Sequence, residues 1–130
     1  MVDMIPSTNS MIFKKTGEKK VLTLLLSEGE NIHDSIKQGM KENSIEKATI
    51  EEINGILASA SVNYMLGSHY KSQEFENIQV LKAFGKYELQ GETLWGNLHI
   101  VVPMPKPTNV TLLKGTAKEN LELKISFVRI

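Results

Sequence analysis

The run 94–102 (LWGNLHIVV) constrains the fold most, because it has the length and apolar content of one strand buried in a sheet. Successive side chains of a strand point to opposite faces, so the run divides into two sets. One face carries Trp95, Asn97, His99 and Val101, and the other face is entirely apolar. Three prolines within residues 103–107 then end the strand, because proline has no N–H to donate. We therefore predict that any site of this protein lies on the face that carries Asn97 and His99.

The size and charge of the chain exclude several classes of protein. At 130 residues it is predicted to form one domain, and its 15 basic and 15 acidic residues give a net charge of zero. A balanced charge argues against direct nucleic-acid binding, which depends on lysine and arginine contacts to phosphate. Disulfides and cysteine-ligated zinc are excluded because the chain has no cysteine. It shows neither a membrane-length apolar run nor a secretory signal, so we expect a cytoplasmic protein without a membrane contact.

The chain is predicted to consist of an N-terminal arm with a first short strand, residues 1–20, and a single domain over residues 21–130. Within that domain one helix is expected from about residue 31 to 43, where Ile32, Ile36 and Met40 form an apolar stripe. Either Asn31 or Ser27 is suited to cap its start. His33 lies off the stripe, so we expect it to be a solvated surface residue.

The remaining segments are predicted to be strands joined by short turns. Residues 48–53 and 56–66 are each expected to form a strand, with Asn54 and Gly55 as a hairpin turn between them. Residues 67–77 are polar and are expected to form a loop, and residues 78–89 one long strand. The predicted fold class is α+β, a mainly antiparallel sheet of about six or seven strands with one main helix packed on a face.

The order of several short strings resembles the PPC domain, the plants-and-prokaryotes-conserved domain that follows the AT-hook in plant nuclear proteins. Residues 26–30 (LSEGE), which lead into the helix, are similar to the strand, Pro-Gly-Glu turn and first helix of that family. Residues 54–56 (NGI) are similar to its Ser-Gly-Ile-Gly string, and residues 112–116 (LLKGT) to its Gly-His-Leu-Leu-Glu-Gly string. Residues 97–99 (NLH) occupy the place of its His-x-His strand. The resemblance covers roughly residues 20–130.

This resemblance implies an antiparallel sheet with helices on one side, a tight homotrimer, and protein partners such as the transcription factors that the plant domains contact. The chain has no Arg-Gly-Arg-Pro string, so it lacks the AT-hook with which the plant proteins bind DNA. The histidines of the family form a candidate metal site, and their three places fall here on Asn97, His99 and Thr111. Neither asparagine nor threonine is a good zinc ligand beside a lone imidazole, so we predict no metal and no cofactor.

Two functions follow as hypotheses. The first is a non-catalytic homotrimeric module for protein interaction or regulation, associated with DNA, if at all, through its partners. The second is a small-molecule-binding protein or weak enzyme with a pocket around His99, lined by Asn97, Thr111 and Glu52. No catalytic residues are predicted, because no spacing matches a hydrolase elbow, a phosphate loop or a dinucleotide fingerprint. Trp95 is interpreted as a core or subunit-contact aromatic, with a cleft as the alternative.

Overall fold

A computed structural model describes residues 17–129, with the side chains up to Val128, and it contains seven strands and one helix. In chain order they are β1 (Glu18–Leu26), α1 (Ile32–Glu42), β2 (Lys47–Leu66), β3 (His69–Val80), β4 (Lys82–Gln90), β5 (Thr93–Pro103), β6 (Pro107–Ala117) and β7 (Leu121–Arg129). Every strand pairing is antiparallel. The predicted α+β class is confirmed. Most of the predicted N-terminal arm lies outside the described residues.

The 20-residue strand β2 is the centre of the sheet, because it pairs with four other strands. Its first half is flanked by β7 and β4, and its second half is flanked by β6 and β3. Strand β5 pairs with both β4 and β6, so the pairings β2–β4–β5–β6–β2 form a closed cycle. Strand β1 extends the sheet beyond β7.

The closed cycle of strands encloses a core, which is filled by every second side chain along each strand. On β5, the predicted division of faces is confirmed: Leu98, Ile100 and Val102 are fully buried, whereas Asn97 is exposed and His99 is half-buried. The long β2 contributes six buried residues to the same core, and these are Ala48, Ile50, Ile53, Leu57, Ala60 and Val62. Burial of this apolar surface is the main favourable contribution to folding.

The helix forms where its stripe predicts it. Asn31 is the N-cap, and its Oδ1 accepts a hydrogen bond from the Asp34 N–H at 3.0 Å. The stripe residues Ile32, Ile36 and Met40 are completely buried against the sheet. Of the two capping candidates, Asn31 therefore takes the role, because its side chain reaches an N–H of the first turn that has no partner within the helix.

The prediction of a solvated His33 is wrong. Its imidazole is half-buried and its ring edge meets the Tyr87 ring of β4, with centroids 6.0 Å apart. Burial lowers the pKa of His33, and the neighbouring Asp34 carboxylate opposes that shift. The position of His33 beside the apolar stripe does not indicate burial. It is half-buried because the sheet under the helix places the large Tyr87 ring against it.

The hairpin turn predicted at Asn54 and Gly55 is also wrong, since both residues lie inside β2. At this point the partners of β2 change from β7 to β6 on one edge and from β4 to β3 on the other. The two turn-forming residues therefore mark a change of neighbours in a continuous strand. The chain does not reverse there.

The loop predicted over residues 67–77 is instead strand β3, which starts at His69 after a tight turn. Its first six residues are all exposed, so backbone pairing to β2, and not apolar burial, holds this strand in place. The single strand predicted over residues 78–89 is interrupted at Leu81, whose N–H donates to the Val101 carbonyl at 2.8 Å. No helix within the described range has the length and apolar content needed to cross a membrane.

Gly96→Ala is expected to destabilise the fold strongly. Gly96 has φ +143°, and an added Cβ would overlap the Lys86 carbonyl oxygen and lie 2.8 Å from Tyr87 Cδ1. Urea denaturation should show a loss on the order of 3 kcal/mol. The control is Gly91→Ala, which has φ +61° but nothing within 4 Å, and should cost about 1 kcal/mol. Equal losses for the two variants would contradict this account.

Tyr87→Phe is expected to stabilise the protein, because the buried Tyr87 hydroxyl has no hydrogen-bond partner among residues 17–129. Burial also raises the pKa of Tyr87 to about 12. In the unfolded chain this phenol ionises near pH 10, so the native state should lose stability as the pH rises from about 10 to 12. Between pH 9 and 11, urea titrations should show the wild type losing about 1 kcal/mol more than the phenylalanine variant. Parallel pH curves for the two proteins would refute the assignment.

Candidate functional site

The predicted site residue His99 sits at the centre of a small cluster on the outward face of the sheet. Strand register places it beside Phe84 of β4 and beside Thr111 of β6. Its Nδ1 lies 3.2 Å from Thr111 Oγ1, within hydrogen-bonding distance, and its ring stacks on Phe84 with centroids 5.3 Å apart. The imidazole is therefore held by one hydrogen bond and one aromatic contact, which fix the orientation of its ring.

Of the three predicted site residues, His99 and Thr111 are in contact, whereas Asn97 is not part of that contact. Asn97 is exposed on the same face, two residues before His99, where it lies opposite Lys86. Glu52, the carboxylate considered for acid–base work, lies on another part of β2, opposite Lys124 of β7. The expected cluster of a histidine with a carboxylate and an amide is therefore not assembled around His99.

The remaining histidines do not complete a metal site with His99. His33 contacts Tyr87 under the helix, and His69 lies opposite Leu66 at the end of the β2–β3 hairpin. Within the described residues, no three side chains of the metal-binding types histidine, cysteine, aspartate and glutamate are grouped closely enough to hold an ion. The His99 cluster offers a single imidazole, which is one ligand where a catalytic zinc site uses three.

A larger concave feature, which we call the groove, lies near the start of β2 and was not predicted. It has a volume of about 1120 Å³ and is lined by residues of β1, β2, β4, β5, β7 and the loop after α1. Trp95 is 58 % exposed and lines the groove together with Gly96, so its interpretation as a core residue is wrong, whereas a subunit contact stays a prediction. The groove also contains Lys47 and Lys86, which come from neighbouring strands.

One wall of the groove carries a polar network that the sequence pattern did not indicate. Ser126 Oγ donates a 2.5 Å hydrogen bond to Glu51 Oε2, and Lys19 Nζ lies 3.7 Å from the same oxygen. The bond from Ser126 and the charge of Lys19 lower the pKa of the Glu51 carboxyl. Ser126 belongs to the polar face of an amphipathic strand, yet it is buried, on a strand that is flanked by both β1 and β2.

Comparisons with solved structures find the same fold in proteins of low sequence identity. A plant- and prokaryote-conserved (PPC) protein from Pyrococcus horikoshii matches with a TM-score of 0.67 and 19% identity, over 89% of this chain and 82% of that chain. A metal-containing protein from Archaeoglobus fulgidus matches with a TM-score of 0.67 and 18% identity, over 88% and 81%. A protein from Ralstonia eutropha, whose name offers DNA binding as a candidate function, matches with a TM-score of 0.64 and 15% identity, over 82% and 76%.

No match to a curated protein sequence was found. The sequence profile of the Plants and Prokaryotes Conserved (PCC) domain matches residues 13–117, which is most of the chain. That range includes β1 to β6, the helix, and both His99 and Thr111. The sequence profile and the shared fold agree with the resemblance seen in the short strings, and the chain belongs to the Plants and Prokaryotes Conserved domain family.

Proposed function

We propose that this PCC domain is a non-catalytic module that assembles into a homotrimer and presents a surface to protein partners. The observation that carries the proposal is the set of large apolar side chains that the strands leave exposed. This set consists of Val21, Leu25, Phe84, Trp95 and Val128, which are between 40 and 68% exposed. Soluble monomers rarely leave many large apolar groups on one surface, and such surfaces are typical of protein contacts.

The zero net charge supports association between copies, because no long-range repulsion opposes it. The same balance favours protein contacts over a direct contact with DNA, which requires an excess of basic groups. The protein from Ralstonia eutropha is named for DNA binding. In our proposal, any association of this chain with DNA runs through a protein partner.

Within residues 17–129 no acid–base group is assembled around His99, and this supports the non-catalytic assignment. His99 is paired with a threonine hydroxyl and a phenylalanine ring, neither of which can shuttle a proton with it at neutral pH. The role of Thr111 in this arrangement is to orient the imidazole.

Sedimentation equilibrium at micromolar concentration is expected to give a mass of about 44 kDa, three times the 14.6 kDa of the chain. The assembly should persist at high salt, because apolar contacts are not screened by ions. A mass near 14.6 kDa at that concentration would refute the proposal, and a salt-sensitive shift of duplex DNA would favour direct DNA binding instead.

A second candidate function is the binding of a small ligand at His99, and the half-buried, oriented imidazole is the observation that favours it. Among the described residues, only its Nδ1 is hydrogen-bonded, which leaves Nε2 for a ligand. If this function holds, zinc chloride or a member of a metabolite panel should raise the melting temperature of the wild type by several degrees. His99→Ala should keep the fold and lose that rise, whereas Asn109→Ala, an exposed control on β6, should retain it. No rise with any probe in the wild type would exclude this candidate.

A further inference from the structure

The end of the β2–β3 hairpin projects beyond the rest of the sheet. The pairing of β6 with β2 stops at Asn63, and from Tyr64 onward the two strands of the hairpin pair only with each other within the described chain. We call residues 64–71 the hairpin tip. A segment held by one neighbouring strand buries little of its own surface.

The hairpin tip carries three large apolar side chains beside its polar residues, which is unusual for such an exposed turn. Met65, Leu66 and Tyr70 are 52, 60 and 76% exposed, and they surround the turn at Gly67. Turns at the ends of hairpins are ordinarily polar, because their side chains remain in water. Three large apolar side chains at such a position indicate a surface that contacts another molecule in the functional state of the protein.

The lining of the groove is compatible with the apolar side chains of the hairpin tip. Trp95 and Val128 are exposed apolar residues on its lining, and its charged side chains balance, with three lysines and three glutamates. Such a neutral, partly apolar groove suits an apolar occupant better than a strongly charged ligand. The hairpin tip carries one lysine, Lys71, and no acidic residue, and a groove with three glutamates can accommodate that single positive charge.

A hairpin tip cannot reach the groove of its own chain. The groove is built on β2 around residues 47–51, whereas the tip begins at residue 64 of the same strand. Thirteen residues of strand separate them, a path of up to roughly 40 Å at about 3.3 Å per residue. The two surfaces therefore lie at opposite ends of β2, and a second copy of the chain is needed to bring them together.

We propose that the hairpin tip of one copy docks in the groove of the next copy. This inference rests on the proposed self-association and assigns its interface. The contact joins two different surfaces, so it is heterologous. If the copies are related by a three-fold axis, a closed ring of three copies forms in which every groove holds a tip. Each subunit then donates Leu66 and Tyr70 to a neighbour and receives the same residues at its own Trp95.

Cysteine cross-linking tests the contact directly, because the chain contains no cysteine of its own. Tyr70→Cys and Lys47→Cys are made in separate chains carrying different tags, mixed, and treated with a short bis-maleimide. We expect a covalent pair of one chain of each kind, of about 29 kDa, twice 14.6 kDa. The matched control pairs Tyr70→Cys with Lys106→Cys in the turn between β5 and β6 and should give no such product.

Substitution of the tip provides the second test. The double variant Leu66→Ser/Tyr70→Ser should be folded by circular dichroism and should sediment as a monomer. Leu81→Ser removes an exposed leucine between β3 and β4 that belongs neither to the tip, nor to the groove, nor to the exposed apolar set described above, and it should leave the mass of the assembly unchanged.

The outcomes separate the two proposals. A wild-type trimer that survives the tip substitutions and gives no cross-link would overturn the tip-and-groove contact while leaving self-association intact. Dissociation by Leu81→Ser to the same extent as by the tip variant would also overturn it, since it would show a general apolar contact. A monomeric wild type would refute both proposals.

Discussion

The backbone pairing of β2 along both of its edges is the constraint on which the rest of the structure depends. A strand of twenty residues that pairs with four others fixes where each of those strands lies and which side chains point inward. Inward-facing Ile50, Ile53 and Leu57 anchor the core from this single element. The helix, the groove and the projecting hairpin tip all take their positions from it, because each is built on strands that pair with β2 or on β2 itself.

Much of this fold is readable from periodic patterns. The capped helix and the two faces of β5 follow from apolar residues at helical and alternating spacing, since each pattern reports the burial of one side of one element. The wrong predictions concern segments whose backbone conformation is not indicated by a pattern of buried side chains. Asn54 and Gly55 have the chemistry of a turn but lie where a strand changes partners, and β3 is a polar strand that only its neighbour's hydrogen bonds can specify.

The candidate site shows the same limit. The proximity of His99 and Thr111 was implied by the family resemblance, and the strand register places the two side by side. The groove could not be predicted, because it is shared by five strands that are distant in the sequence, and its depth depends on how the sheet curves. The hydrogen bond of the buried Ser126 to Glu51 likewise joins two residues 75 positions apart. Single-strand patterns carry no information about such long-range pairs.

The position of β7 between β1 and β2 has a consequence for synthesis on the ribosome. Glu18 pairs with Arg129, so β1 can meet this partner only after more than a hundred further residues have been made. At about 5–20 residues per second, its apolar side chains Leu22 and Leu24 wait for several seconds for that strand. The backbone of β1 is therefore expected to remain without its partner strand in the nascent chain until β7 emerges and the sheet is completed.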